Sequence, residues 1–396
     1  MRMLYITSTL PFGPGEAFLY PEVRELLRRG VEVQVVPMHP RGPLVHPEAR
    51  EIVDQVVAEP LLSWRTLRGA FGMFLRAPLK ALSALRLLLT PNPRHLLKNL
   101  AVYPKGLWLG GLALELKAGH IHAHWAATTA SMAMVASAVS GVPWSLTAHR
   151  WDVVENNLLR RKAKRACFFR CISEKTREMA LERGVPGEKT LVLHLGVRLP
   201  SGPTNQSPPG QRERYVVLCP ASFIPIKGHL YLIEAMKLLP ARVELWLAGE
   251  GELRTEVEKQ VVELGLSDRV RFLGFLSHDQ LLELYRKKEV DAVILPSVDL
   301  GDGLNEGIPV SLIEAMSYGI PVISTNTGGI PELLQDGAGL LVPDKDPKAL
   351  AEAIQTLYKD PVYAEAVGEA GKKRVEEEFN VERIAKQLLE LWRGCS

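Results

Sequence analysis

The segment Asp299–Glu314, DLGDGLNEGIPVSLIE, combines the carboxylates of Glu306 and Glu314 with glycines and a proline in an order that suits sugar and phosphate chemistry. Pro309 is placed to open a helix, because its missing N–H would have no partner at a helix start. Gly307 allows the backbone to approach a ligand closely. The unpaired amides and dipole of that helix start form a ready phosphate site. Glu306 falls just outside the helix and Glu314 about one and a half turns inside it. The two can therefore hydrogen-bond different hydroxyls of one elongated polyhydroxyl ligand. Lys227-Gly228 follows an apolar run, where a lysine can neutralise a diphosphate. Gly249-Glu250-Gly251 follows the next run and by itself is a turn. In the first half, His120, His122 and His124 alternate on what reads as a strand and so share one face. That spacing could chelate a metal, but no carboxylate cluster completes a site and no metal is expected. Cys167 and Cys171 have no second pair to make a zinc site. WSLTAHRWD carries His149, Arg150 and Asp152 in a loop after a strand. The loop Gly13-Pro14-Gly15-Glu16 lacks the third glycine of a dinucleotide fingerprint.

With GGIPELL following it, EGIPVSLIEAMSYGIPVIST resembles the signature of retaining GT-B glycosyltransferases of family 4, in the bacterial exopolysaccharide and colanic-acid branch. The resemblance extends over nearly the whole chain. It implies that Glu306 contacts donor-sugar hydroxyls, that amides around Gly307, Ile308, Pro309 and Val310 hold the sugar, and that Glu314 binds the nucleotide ribose. Lys227 matches the donor-phosphate lysine. The arginine usual five residues earlier is Ser222 here, which leaves half of the phosphate clamp to another group. Gly249 and Gly251 fall in the family's glycine-rich donor loop, and Phe275 falls where the nucleobase is cradled. His149 takes the place of a histidine beside the transferred sugar. Gly15 falls in a loop that approaches donor phosphate or acceptor; Glu16, His124, Arg150 and Asp152 are expected on the acceptor side.

Elements to position these residues follow from the pattern. Met3–Thr9, Val31–Val36, His120–His124 and Ser145–Thr147 read as strands, with a helix at Phe18–Arg29. Beyond a Pro/Gly/Ser/Asn/Gln stretch, strands are expected at Tyr215–Pro220, Val243–Ala248, Val270–Gly274, Ala292–Leu295, Pro321–Ser324 and Gly339–Val342, with helices between them. Alternating β and α predicts parallel, doubly wound sheets, with ligands at the carboxyl ends of strands. The expected fold class is α/β: two Rossmann-like domains, 1–198 and 214–375, facing across a cleft, a linker at 199–213, and a C-terminal helix in 376–396 that returns to the first domain.

The chain has 48 Lys+Arg against 45 Asp+Glu in 396 residues, a net +3. Composition excludes a disordered or fibrous chain, and +3 is too small to suggest nucleic acid. Its distribution is uneven. Pro60–Leu114 carries eight Lys/Arg and no acid, which leaves the rest of the chain at −5. Trp64, Leu67, Phe71, Phe74, Leu79, Leu82 and Leu85 recur there at helical spacing, and Pro78 splits the stretch into two helices. Such basic amphipathic helices suit an anionic bilayer, or they pack on the sheet with a basic outer face. Arg160, Arg161, Lys162, Lys164, Arg165 and Arg170 form a second basic cluster. No signal peptide or transmembrane helix is expected, and four scattered cysteines suit a reducing compartment, so the expected location is cytoplasmic or peripheral on the inner face of the plasma membrane. The expected activity is retaining transfer of a hexose from a UDP- or GDP-linked donor to a lipid-linked or oligosaccharide acceptor, without cofactor or metal. A nucleotide-sugar epimerase of the same build, or a non-catalytic sugar-nucleotide binder suggested by Ser222, are the alternatives.

Overall fold

The computed structural model describes residues 1–13, 15–200, 213–301 and 304–395. They form two compact units: Met1–Gly196 together with the chain from Val381 onward, and Val197–Asn380. Residues 201–212, most of the expected linker, lie outside the described residues.

The second unit is built on β7 (Tyr215–Pro220), β8 (Val243–Ala248), β9 (Val270–Gly274), β10 (Ala292–Leu295), β11 (Val322–Thr325) and β12 (Leu340–Val342). All pairs are parallel, in the order β12-β11-β10-β7-β8-β9. This is the Rossmann order, with its switch point between β7 and β10. β10 and β11 are buried from end to end, as expected of strands covered on both faces.

The first unit contains β1 (Arg2–Thr7), β2 (Glu32–Pro37), β3 (His120–His124), β4 (Trp144–Ala148), β5 (Phe169–Cys171) and β6 (Thr190–Val192), again all parallel. Its order, β2-β1-β3-β4-β5-β6, is the flavodoxin-like variant with the switch point between β1 and β3. β5 and β6, three residues each, escape the sequence pattern. The helix Val381–Arg393 packs Ile384, Ala385, Leu388 and Trp392 into the same core as Tyr5, Leu19 and Val23 of this unit. The helix before it, Pro361–Glu378, belongs to the second unit, so the crossover begins at Val381 rather than at 376.

The basic stretch forms helices Trp64–Arg76 and Pro78–Arg86, followed by Pro93–Glu115. Their buried residues are small or slender: Thr66, Ala70 and Met73 in the first, Ala81 and Ala84 in the second. The large apolar side chains face outward instead, with Trp64 79 %, Phe71 64 % and Leu79 82 % exposed. Three residues counted as surface charge are not on the surface. Lys105, Lys162 and Arg170 are fully buried, and Lys105 Nζ donates to the carbonyls of Pro37, Met38 and Glu59. No helix among the described residues is long and apolar enough to cross a membrane.

Candidate functional site

In the second unit the loops after β7 and β10 flank the switch point. After β7 the chain makes one 3₁₀ turn, Pro225–Lys227, ended by Gly228 at φ +66°. A Cβ on Gly228 would lie 1.9 Å from the Pro296 carbonyl oxygen, so only glycine lets this turn press against the chain leaving β10. Val298 N–H donates to Ile226 O at 2.9 Å across the same seam. Lys227 is thereby delivered to Glu306, and its Nζ donates to Oε2 at 2.5 Å. Ser297 Oγ donates to the same oxygen at 3.4 Å. The two charged side chains keep 19 % and 17 % exposure, so a ligand can reach them.

The backbone at Glu306 is set from the other side by the turn after β11. Gly329 N–H donates to Glu306 O at 3.2 Å, and a Cβ on Gly328 would sit 1.7 Å from that oxygen. The GGIPE sequence is therefore what holds Glu306-Gly307 in place. Pro309 is the N-cap, at φ −78° and ψ 118°, and the helix starts at Val310, one residue later than the sequence pattern placed it. Pro309 O accepts the first returning amides, from Leu312 at 3.1 Å and Ile313 at 3.4 Å, which leaves the amides before them directed out of the helix start. Glu314 Oε1 lies 2.8 Å from His278 Nε2. The loops after β7, β8 and β9 are joined edge to edge: Phe223 N–H donates to Glu250 O at 3.0 Å and Gly249 N–H to Gly274 O at 2.8 Å. Cβ atoms on Gly249 and Gly251 would strike Ala221 O and Phe223 O. Ser222 and Phe275 are exposed at this end of the sheet.

In the first unit the polar side chains converge on one another. His149, 8 % exposed, follows β4 and stacks on Trp125 with ring centroids 4.1 Å apart. Trp125 leaves β3 at φ +86°, a costly conformation for a bulky residue. Its N–H donates to Thr147 O at 3.0 Å and its indole N–H to Glu16 Oε1, which hold it there. The other Glu16 oxygen accepts from the amides of Thr9 at 2.5 Å and Leu10 at 2.7 Å. His149 Nε2 lies 2.7 Å from His124 Nε2, and His124 Nδ1 lies 3.1 Å from Tyr5 Oη. Tyr5 Oη donates to Glu22 Oε1 at 2.6 Å, and Arg170 Nη1 donates to Glu22 Oε2 at 2.8 Å. Burial holds His124 well below the usual imidazole range and pushes His149 down to about 3, so both rings are neutral at ordinary pH. Asp152 Oδ2 accepts the His149 N–H at 2.9 Å. Burial pushes Asp152 up to about 7 despite its backbone hydrogen bonds, and pushes Lys162 down to about 7.

Two family models divide the chain between them: "Glycosyltransferase Family 4" matches residues 15–199 and "Glycosyl transferases group 1" matches residues 204–374. The chain belongs to the group 1 glycosyltransferases of family 4. The amylovoran biosynthesis glycosyltransferase AmsK of Erwinia amylovora is 31 % identical over 224 residues, 56 % of this chain and 54 % of that protein. A GDP-mannose-dependent monoacylated alpha-(1-6)-phosphatidylinositol monomannoside mannosyltransferase of Corynebacterium glutamicum is 32 % identical over 175 residues, 44 % of this chain and 45 % of that protein. The chain spans about half the length of the curated relatives it matches. Among solved structures, Anabaena HepE in complex with UDP superposes with a TM-score of 0.73 at 20 % identity, covering 100 % of both chains. The two parallel six-stranded sheets are those of the GT-B fold.

In this member of family 4, Lys227, Glu306, Gly307, Ile308, Pro309 and Val310 gather at the second unit's switch point, with Glu314 one turn further along. Glu16, Arg150 and Asp152 were expected on the acceptor side but are 4 %, 7 % and 4 % exposed. The oxygens of Glu16 and Asp152 are occupied with backbone amides, so their contacts are those of loop organisers. Gly15 is exposed beside Glu16. The histidine run engages neighbours: His120 Nε2 and His122 Nδ1 lie 2.7 Å and 2.8 Å from Ser145 Oγ, and His122 Nε2 lies 3.0 Å from Thr147 Oγ1. Sequence reasoning missed His278. Its signal was the S-x-x-Q capping box Ser277–Gln280, which starts a helix just after Phe275. It also missed Tyr5, Glu22 and Arg170, which no local motif connects.

Proposed function

We propose that this protein is a retaining hexosyltransferase that takes a UDP- or GDP-linked sugar and passes the hexose to a lipid-linked or oligosaccharide acceptor. The observation that carries this reading is the Lys227–Glu306 pair beside the helix start at Val310, on the switch point of a Rossmann sheet. Cation, carboxylate and free amides are the groups a sugar diphosphate requires. On donor binding, Lys227 leaves Glu306 for the diphosphate and Glu306 turns to sugar hydroxyls. By family resemblance Glu314 takes the ribose and His149 lies beside the sugar. As the anomeric carbon–phosphate oxygen bond breaks, the acceptor oxygen bonds the same face and its proton passes to the leaving phosphate oxygen. Lys227 and the helix amides stabilise the charge that develops there, and the reading assigns no step to a metal. The GDP-mannose dependence of the Corynebacterium mannosyltransferase and the UDP-glucose complex of HepE support a nucleotide-sugar donor.

The acceptor half of the proposal rests on helices Trp64–Arg76 and Pro78–Arg86. Exposed Trp64, Phe71, Leu75 and Leu79 stand among exposed Arg65, Arg68, Arg76 and Lys80 with no acid between them. That surface suits anionic lipid headgroups with apolar side chains inserted below them, and would bring the enzyme to the cytoplasmic face of a membrane that carries its acceptor. The test is a thermal-shift screen of UDP- and GDP-sugars, followed by release of free nucleotide with and without a lipid-linked acceptor. Acceptor-dependent release is expected. Epimer formation without release would overturn the reading, and binding without turnover on any acceptor would leave a non-catalytic sugar-nucleotide binder.

A further inference from the structure

His278 and Glu314 come from different helices of the second unit and meet where its donor loops lie. The helix His278–Arg286 starts just after the loop that carries Phe275. A reciprocal cap fixes that start: Gln280 N–H donates to Ser277 Oγ at 3.3 Å, and Ser277 N–H donates to Gln280 Oε1 at 2.8 Å. His278 therefore stands on the first turn. The helix Val310–Ser317 is held by the core through Leu312, Ile313, Ala315 and Met316, and it carries Glu314 on its second turn. Tyr285, in the last turn of the histidine helix, packs its ring 5.8 Å from that of Tyr318, just past the end of the glutamate helix. The two helices are thus joined at both ends of the histidine helix, once by aromatic rings and once by His278 and Glu314.

His278 Nε2 lies 2.8 Å from Glu314 Oε1. An ionised carboxylate can only accept, so Nε2 carries the hydrogen whatever the charge on the ring. One glutamate oxygen is thereby engaged, while Oε2 keeps its lone pairs for a ligand. A glutamate side chain has three torsions, and a carboxylate tied at one oxygen has already lost most of that freedom. The pair keeps 31 % and 13 % side-chain exposure, so a ligand reaches it. We propose that His278 is a positioning residue that holds the Glu314 carboxylate in its binding orientation, and so sets a preference for ribonucleoside over deoxyribonucleoside diphosphates. The proposal rests on the reading of Glu314 as the group that takes the ribose. A ribose hydroxyl then donates to an oxygen that is already in place, and ordering the carboxylate costs nothing at the moment of binding.

The experiment measures the binding of UDP and GDP, and of their 2′,3′-dideoxy forms, to the full chain by calorimetry in the wild type, His278→Ala and His278→Gln. In the wild type the preferred ribonucleotide should bind at least about tenfold tighter than its dideoxy form. In His278→Ala the ribonucleotide should weaken roughly tenfold and the dideoxy form by less than about twofold, so that the preference collapses. Glutamine carries an amide N–H at a similar reach, and His278→Gln should recover most of the preference. In turnover the loss should fall on the donor KM rather than on kcat, because the ribose is gripped alike before and during transfer. A preference that persists in His278→Ala, or an equal weakening of both nucleotides that glutamine does not rescue, would overturn the proposal. A wild-type preference near one would overturn the ribose role of Glu314 and the proposal with it. A preference lost in His278→Ala, in a protein that transfers no sugar, would support the proposal and count against the transferase reading alone.

Discussion

The two switch points of this molecule solve the same problem in opposite ways. At the second unit's switch point a lysine and a glutamate face each other at 2.5 Å while keeping 19 % and 17 % exposure. Each can exchange its partner for a ligand, and an ion pair this accessible is held only modestly. At the first unit's switch point the polar groups are buried and already satisfied by one another, from Arg170 through Glu22, Tyr5 and His124 to His149. The first arrangement is a charge pair ready to open; the second is a fixed scaffold with neutral imidazoles. The difference shows where binding energy can act. Charge that must meet charge is left reachable, whereas orientation is built into the core.

The comparison is tested most strongly on the charged side. Lys227→Ala should lower turnover by about 10²–10³-fold, the usual loss when a group that stabilises developing charge is removed. A variant retaining most of its activity would mean that the diphosphate is neutralised elsewhere. Next in size is the acid-free surface of the first unit. A basic residue near an anionic membrane surface contributes about 1 kcal/mol, so reversing Arg68, Arg76 and Lys80 to glutamate should weaken flotation with anionic vesicles by at least about a hundredfold. Equal flotation before and after reversal would leave those helices without a membrane role.

The buried side predicts an acid response. The folded-state pKa values of His120 and His149 are depressed to about 3 and those of His122 and His124 lie well below 6.5, all chiefly through burial. Protons therefore bind the unfolded chain more tightly. The contribution of these imidazoles to the first unit's stability is complete above about pH 6.5 and is lost as pH falls toward 3, at up to about 1.4 kcal/mol per pH unit for each ring. In the second unit the His229 imidazole is pushed down, to about 4. Hydrogen exchange between pH 7 and pH 4.5 should show the first unit's strands deprotected before the second's. The reverse order would mean that the imidazoles are not held neutral. The smallest effect is expected at Ser222, where Ser222→Arg restores a cation beside the donor loop and should tighten binding of a nucleoside diphosphate by up to about tenfold. No change would show that the clamp is already complete without it.

The second unit was largely legible because its chemistry is local. Glu306, Gly307, Pro309 and Glu314 lie within nine residues, and the strands around them are unbroken apolar runs whose ends the pattern marks, as at Tyr215–Pro220 and Val243–Ala248. What was missed there is a matter of single residues. Pro309 caps the helix rather than opening it, and His278 reaches Glu314 from a different helix. The first unit was less legible because its network joins residues 17 to 148 positions apart, and a buried ion pair such as Glu22–Arg170 looks like surface charge in one dimension. The same blindness affected Lys105 and Lys162. The helices at 64–86 were correctly placed, but spacing alone could not tell which side faced the core. Their small residues pack inward and the large ones face out, the reverse of an ordinary amphipathic helix.

The central claim is that Glu306, freed from Lys227, holds the donor sugar during transfer. The direct measurement is acceptor-dependent release of nucleotide from the preferred UDP- or GDP-sugar, compared between the wild type and Glu306→Ala. The account predicts a fall of about 10³-fold or more, with the fold intact by circular dichroism. Wild-type rates in Glu306→Ala would contradict it.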